Sequence, residues 1–206
     1  MLLEPSENGL VRHEVRAECG VNSHIHIMTV MIGSGDIYSD DHVTLSGDGA
    51  RFDADAAYLG KNSQTIDYNI VADHFGKKTE SLITVNGALT DSAKKVFRGT
   101  IDFKKGSADS VGSENETVLM LGDDVVNKTV PLILCAEENV EGTHGATIGE
   151  LDADTMFYFE SRGIDRETAE KIMAYAAVER LIHMAEDSEF AAVAEKAMGI
   201  KTDTEE

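Results

Sequence analysis

Seven histidines and two cysteines carry most of the metal-ligand chemistry open to this chain, and one histidine stands apart by its neighbours. His144 sits in "EGTHGATIG", flanked by Gly142, Thr143, Gly145 and Ala146. No bulky side chain shields it, and backbone can approach it closely. A neutral imidazole presented from such a turn suits iron or zinc. The competing reading is a histidine that bonds its own turn, and residue types alone leave the two open.

The other candidates are weaker. His24 and His26 in "SHIHI" lie two apart on an expected strand, so both imidazoles share a face. With no third ligand nearby in sequence, they read as a polar strand face. His42 in "DDHV" reads as a turn residue among stabilising acids, and His13 and His183 give no signal. His74 ends an expected strand before a Gly-Lys-Lys turn, where it caps the strand or approaches another subunit. Cys135 falls in "VPLILCA" on the same side as Ile133, as a buried thiol behaving like a small hydrophobe. Glu137 and Glu138 work against a reactive thiolate there. Cys135 stays a secondary metal candidate behind His144.

The phosphate loop GxxxxGK[ST], the dinucleotide loop GxGxxG after a strand, the GxSxG elbow and HExxH are all absent from the sequence. The pairs Asp53/Asp55 and Asp40/Asp41 could serve acid–base hydrolysis on a β-solenoid. Acidic turns are also expected without catalysis, because 38 acidic against 18 basic residues give a formal charge of -20. That charge repels phosphate backbones and anionic membrane surfaces, so neither nucleic acid nor membrane is an expected partner. Cys19 and Cys135 are too few and too far apart for a CxxC knuckle or a disulfide framework, which fits a reducing compartment. "MLLEPSENGL" has no basic segment before an apolar run, and "IMTVMI" and "VPLILCA" are far too short to span a bilayer. A cytoplasmic protein is expected.

From about Val21 to Ala136 short apolar–polar alternations are broken every several residues by Gly, Asp, Asn or Ser, the pattern of strands joined by turns. Gly33, Gly60 and Gly87 recur 27 residues apart. That recurrence is compatible with solenoid rungs, and a β-sandwich is equally compatible with the alternation. After Gly149 the period turns helical. Asp152 is placed to cap a first helix carrying Met156, Phe157 and Phe159, ended by Gly163. Asp165 caps a second, with Ala169, Ile172, Met173, Ala176, Leu181 and Ile182 on its stripe. Ser188 starts a third, with Phe190, Val193 and Ala197, closed by Gly199. The expected organisation is a β-domain over 1–150, a helical subdomain over 151–200 and an acidic tail over 201–206.

The stretch "PLILCAEENVEGTHGATIGELDADTMFYFESRGI" resembles the C-terminal segment of the SufB/SufD family of iron–sulfur cluster assembly proteins, closest to the SufD branch. The matching elements are Pro131, Glu138-Asn139-Val140, Thr143 to Gly149, Phe157-Tyr158 and Ser161 to Ile164. "FRGTIDF" and "HFGKKTES" lend support, and the resemblance runs from about Val21 to Gly199. It implies a right-handed parallel β-helix followed by a helical subdomain, and a non-enzymatic scaffold role with a SufC-type ATPase and a SufB-type partner or a second copy. It further implies that His144 is an iron or cluster ligand at a subunit interface, that the helix region around Phe157, Tyr158 and Arg162 contacts the ATPase, and that any cluster is transient. Three departures go with it. Gly142 stands where SufD proteins often have a cysteine, Val125 where SufB has its cluster cysteine, and Glu138-Asn139 where the family has paired aspartates. The chain is also shorter than such proteins usually are.

Overall fold

The computed structural model describes residues 1–198, so the expected helix stop at Gly199 and the tail at 201–206 lie outside the described residues. Eleven strands precede three helices. The strands are β1 Leu2–Leu3, β2 Leu10–Cys19, β3 His24–Met31, β4 Asp36–Leu45, β5 Arg51–Gly60, β6 Thr65–His74, β7 Glu80–Leu89, β8 Lys94–Phe103, β9 Ser110–Met120, β10 Val126–Cys135 and β11 Val140–Glu150. They enter two sheets by turns, with order β1-β3-β5-β7-β9-β11 in one (sheet A) and β10-β8-β6-β4-β2 in the other (sheet B).

Every neighbouring pair is parallel. A sandwich of hairpin-linked strands would be antiparallel, so the architecture is a parallel β-solenoid of about five turns with two strands per turn. The prevalent step between rungs is 29 residues, as in Arg51 facing Glu80 and Thr65 facing Lys94. The glycine recurrence is therefore not the repeat: Gly60 faces Leu89, and Gly33 lies in a turn at φ +112. Gly87 lies inside β7, where a Cβ would sit 2.5 Å from the Tyr58 ring. Its small size makes room for that tyrosine rather than for a turn.

Strand alternation puts Ile37, Val43, Phe52, Ile66, Ile70, Ile83, Val85, Phe97, Ile101 and Phe103 into the lumen between the sheets. Turn acids stitch successive rungs. Asp48 Oδ1 accepts from Lys77 N at 2.9 Å, Asp36 Oδ1 from Thr65 N at 2.8 Å and Asp91 Oδ2 from Asn62 N at 2.8 Å, each 29 residues away. Part of the negative charge is thus used as backbone capping. The solenoid also begins earlier than alternation suggested: β1 and β2 belong to it, their signal masked by the charges of Arg12, Glu14, Arg16 and Glu18 on the outer side of β2.

The helices are α1 Ala153–Glu160, α2 Arg166–Met184 and α3 Ser188–Ala197. Asp152, Asp165 and Asp187 cap them, accepting from Thr155 N at 2.7 Å, from Thr168 N at 2.8 Å, and from Glu189 N and Phe190 N at 3.0 Å. Gly163, at φ +77, follows α1 in the left-handed region. On the outer side of sheet A, Ala174, Val178, Leu181 and Ile182 of α2 meet Val30, Ile32, Ala57, Leu59 and Ala88. Ile172 and Val193, expected on buried stripes, are instead exposed. The close sheet surface selects small side chains such as Ala174 and Ala194, so the buried stripe does not follow the largest residues. Among the described residues no helix is long and apolar enough to cross a membrane.

Candidate ligand site at the last turn of the solenoid

His144 lies in the middle of β11, not in a turn: the small residues around it fold as a glycine-rich strand. A Cβ on Gly142 would point at Ile133 Cγ2 (2.8 Å) and Phe103 Cε2 (3.2 Å), so this position faces the lumen. Two residues on, His144 faces the same way. β10 and β11 are the end strands of sheets B and A, so the lumen mouth at this turn is open and His144 is exposed. The outer edges of both strands carry unpaired backbone groups along their length. Val130, Leu132, Leu134 and Ile148 add exposed apolar surface there.

Register sets what lies behind the imidazole. His144 pairs with Glu114 and Ala146 with Glu116 on β9, which places two carboxylates one rung deeper on the same inward face. Both are buried, as is Lys95 across the lumen on β8. Lys95 Nζ donates to Glu116 Oε1 and to Thr129 Oγ1, the latter at 3.1 Å, and the Thr129 hydroxyl donates to Glu116 Oε2. The ammonium also lies 5.7 Å from the Phe97 ring centroid and 5.8 Å from that of Tyr58. Glu116 is thereby compensated.

Glu114 is not compensated in this way: among the described residues its carboxylate accepts no hydrogen bond, and it is 2 % exposed. Burial, reinforced by Glu116 and opposed by Lys95, pushes its pKa up to about 7. It fits there only because β8 has a glycine beneath it, since a Cβ on Gly99 would meet Glu114 Oε2. Sequence reading missed Lys95, Glu114 and Glu116. A signal existed, because all three occupy the alternation phase of the core residues Phe97, Ile101 and Val118.

The remaining candidates are dispersed. Cys135 is exposed, not the buried thiol expected, because it ends an edge strand beside the open mouth. Gly142 faces Ile133, and Cys135 lies two residues from Ile133 toward the turn while His144 lies two from Gly142 away from it. The two candidate ligands are thus about 13 Å apart along the strands and do not share a site. His74 does not reach the surface for a partner. It is fully buried, with Nδ1 2.7 Å from Thr79 Oγ1, Nε2 2.9 Å from Ser81 Oγ and its ring 4.7 Å from that of Phe103. Burial lowers its pKa to about 4, against a smaller opposing pull from Asp73.

His24 and His26 are each bonded to an aspartate one rung on, Asp53 at 3.0 Å and Asp55 at 2.7 Å. His42 sits in β4 rather than in a turn and bonds Asp73 at 2.6 Å. Asp40 is held by Arg16 and Asn69, and Asp41 by the Tyr68 hydroxyl. The carboxylate pairs considered for hydrolysis are therefore engaged in ladder contacts along the sheets rather than converging in a cleft. Among the described residues no three His, Cys, Asp or Glu side chains converge as a metal site, so a metal at His144 needs donors from outside this chain's own triads. On α1, Phe157 is 71 % exposed and Tyr158 is exposed beside it. The Arg162 guanidinium stacks on the Tyr158 ring at 3.7 Å, which holds a cation and two aromatics together on one outward surface.

A family model described as "SUF system FeS cluster assembly, SufBD core domain" matches residues 3–177. The iron-sulfur cluster assembly protein SufD of Bacillus subtilis (strain 168) is 31% identical over 156 residues, covering 76% of this chain and 36% of that protein. An iron-sulfur cluster assembly SufBD family protein of Synechocystis sp. is 26% identical over 182 residues, 88% of this chain and 38% of that protein. SufD of Escherichia coli (strain K12) is 30% identical over 88 residues, 43% of this chain and 21% of that protein. The chain thus spans less than two fifths of the length of each of these relatives. With the family model spanning most of a β-solenoid that ends in an inward-facing histidine, this chain belongs to the SUF-system SufB/SufD core-domain family of iron–sulfur cluster assembly proteins.

Proposed function

We propose that the chain is a SufD-like accessory scaffold, not an enzyme, in cytoplasmic iron–sulfur cluster assembly. It would work with a SufC-type ATPase and with a SufB-type subunit or a second copy of itself. The observation that carries this reading is His144, inward-facing at an open terminal turn whose two end strands offer free backbone edges. A partner's strands added to β10 and β11 would close the mouth over the imidazole. The partner would also supply the thiolates that this chain lacks at Gly142 and Val125. The iron or cluster is cargo, held transiently and not by this chain alone. Phe157, Tyr158 and Arg162 are the contact we assign to the ATPase, through cation, aromatic and apolar surface together.

His144→Ala in the assembled complex tests the ligand role: cluster yield should fall while complex formation and the far-UV spectrum stay unchanged. Unchanged yield refutes it. Pull-down of the ATPase by chains carrying Phe157→Ala and Arg162→Ala tests the helical contact, and undiminished capture refutes that. A complex that assembles normally yet forms no cluster in either background would favour a purely structural dimer.

A further inference from the structure

At the end of the solenoid opposite His144, three buried polar atoms without partners among the described residues gather in the lumen. They are His13 Nε2, Ser39 Oγ and Asp41 Oδ1. Topology brings them together: His13 on β2 pairs with Ser39 on β4, Asp41 follows Ser39 by two residues on the same face, and His13 Nε2 lies 3.8 Å from Asp41 Oδ1. The Tyr68 hydroxyl reaches Asp41 Oδ2 at 3.0 Å and leaves Oδ1 free. Ser39 and Asp41 are nearly inaccessible to solvent, Asp41 at 1%. Leaving so many buried polar atoms unpaired in one place is costly, since each forfeits a hydrogen bond it had in water. A buried carboxylate with no cation bonded to it costs more.

The spacing suits a shared ion better than a direct contact. A separation of 3.8 Å is too long for a hydrogen bond. With metal–ligand bonds of about 2.1 Å it corresponds to a ligand–metal–ligand angle of roughly 130°, within the range of four- and five-coordinate sites. One imidazole nitrogen, one carboxylate oxygen and one hydroxyl are a borderline-hard donor set, which selects divalent first-row metals over soft ones. The His13 side chain is 21% exposed, so the cluster lies close to the surface of the first turn.

We propose that the first-turn lumen is a divalent transition-metal site, with His13 and Asp41 as ligands and Ser39 completing the shell directly or through water. It is separate from the His144 mouth and does not depend on that site's role.

Titration of the purified chain with Co²⁺ tests this. One ion per chain should bind, with weak d–d bands and without the intense thiolate-to-cobalt absorption that Cys19 or Cys135 would add. His13→Gln and Asp41→Asn should abolish the bands, and Ser39→Ala should weaken binding by about tenfold. His144→Ala should leave both stoichiometry and spectrum unchanged. Absence of Co²⁺ binding by the folded wild-type chain overturns the proposal whatever the variants do. So does thiolate absorption, or loss of the bound ion in His144→Ala, which would move the metal to the other end of the solenoid. Failure of the His144 cluster test with retained Co²⁺ binding would sink the ligand role of His144 alone.

Discussion

His74 makes a pH dependence calculable. Its imidazole is fully buried between the Thr79 and Ser81 hydroxyls and against the Phe103 ring, and its pKa is lowered from 6.5 to about 4, chiefly by burial. The Asp73 carboxylate pulls the other way but less strongly. In the unfolded chain the ring takes up a proton near pH 6.5, whereas the folded chain resists until about pH 4. The unfolded state therefore binds more protons across that window, and stability falls as pH falls. The loss from this residue should be about 1 kcal/mol at pH 6, about 2 kcal/mol at pH 5 and about 3 kcal/mol at pH 4, relative to pH 8. His74→Gln keeps a polar side chain between the hydroxyls and removes the titration. The variant should be less stable than wild type at pH 8, through lost packing, with the gap closing by these amounts toward pH 4. Urea unfolding followed by circular dichroism at unit pH steps measures it. Parallel stability profiles for the two proteins from pH 8 to pH 4 would show that His74 is not buried as a neutral base.

Glu114 runs the opposite way: its folded pKa of about 7 lies above the ordinary 4.5, so stability is lost as pH rises through that window. Glu114→Gln should flatten this limb and stabilise the chain at pH 8 by up to about 3 kcal/mol, read from the same unfolding curves; no gain at pH 8 refutes the burial argument. Lys95→Met should cost about 3–5 kcal/mol by stranding Glu116, while Lys95→Met with Glu116→Leu should recover most of it, since paired removal leaves no buried charge. Gly142→Cys, which puts a thiol where SufD relatives often have one, should cost about 1–3 kcal/mol through its clash with Ile133. Adding Ile133→Ala should make the pair non-additive by about 1 kcal/mol, and strict additivity would mean that the two side chains do not meet.

Helices and their caps were the most legible part of this chain, because Asp152 and Asp165 announce them locally and each side chain bonds the backbone three residues on. Strands were legible as alternation where the inner face carries large apolar residues, as in β6, and illegible where charges crowd the outer face and the inner one is built of smaller residues around His13, as in β2. His144 was legible as an unshielded imidazole, but the residues beside it were not. A solenoid's lateral neighbours are set by how many residues each turn spends, and that number varies from 26, where Leu10 faces Asp36, to 32, where Lys94 faces Val126. A shift of one residue in a single turn would turn the next strand inside out, sending Glu114 to solvent and its neighbour Asn115 to the lumen. What lies behind His144 is thus decided by the lengths of the turns at 104–109 and 136–139, not by any residue near it in sequence. Spacing motifs fail here for the same reason: Glu114 lies 30 residues from the histidine that it faces, beyond the range over which ligand spacing in sequence carries meaning.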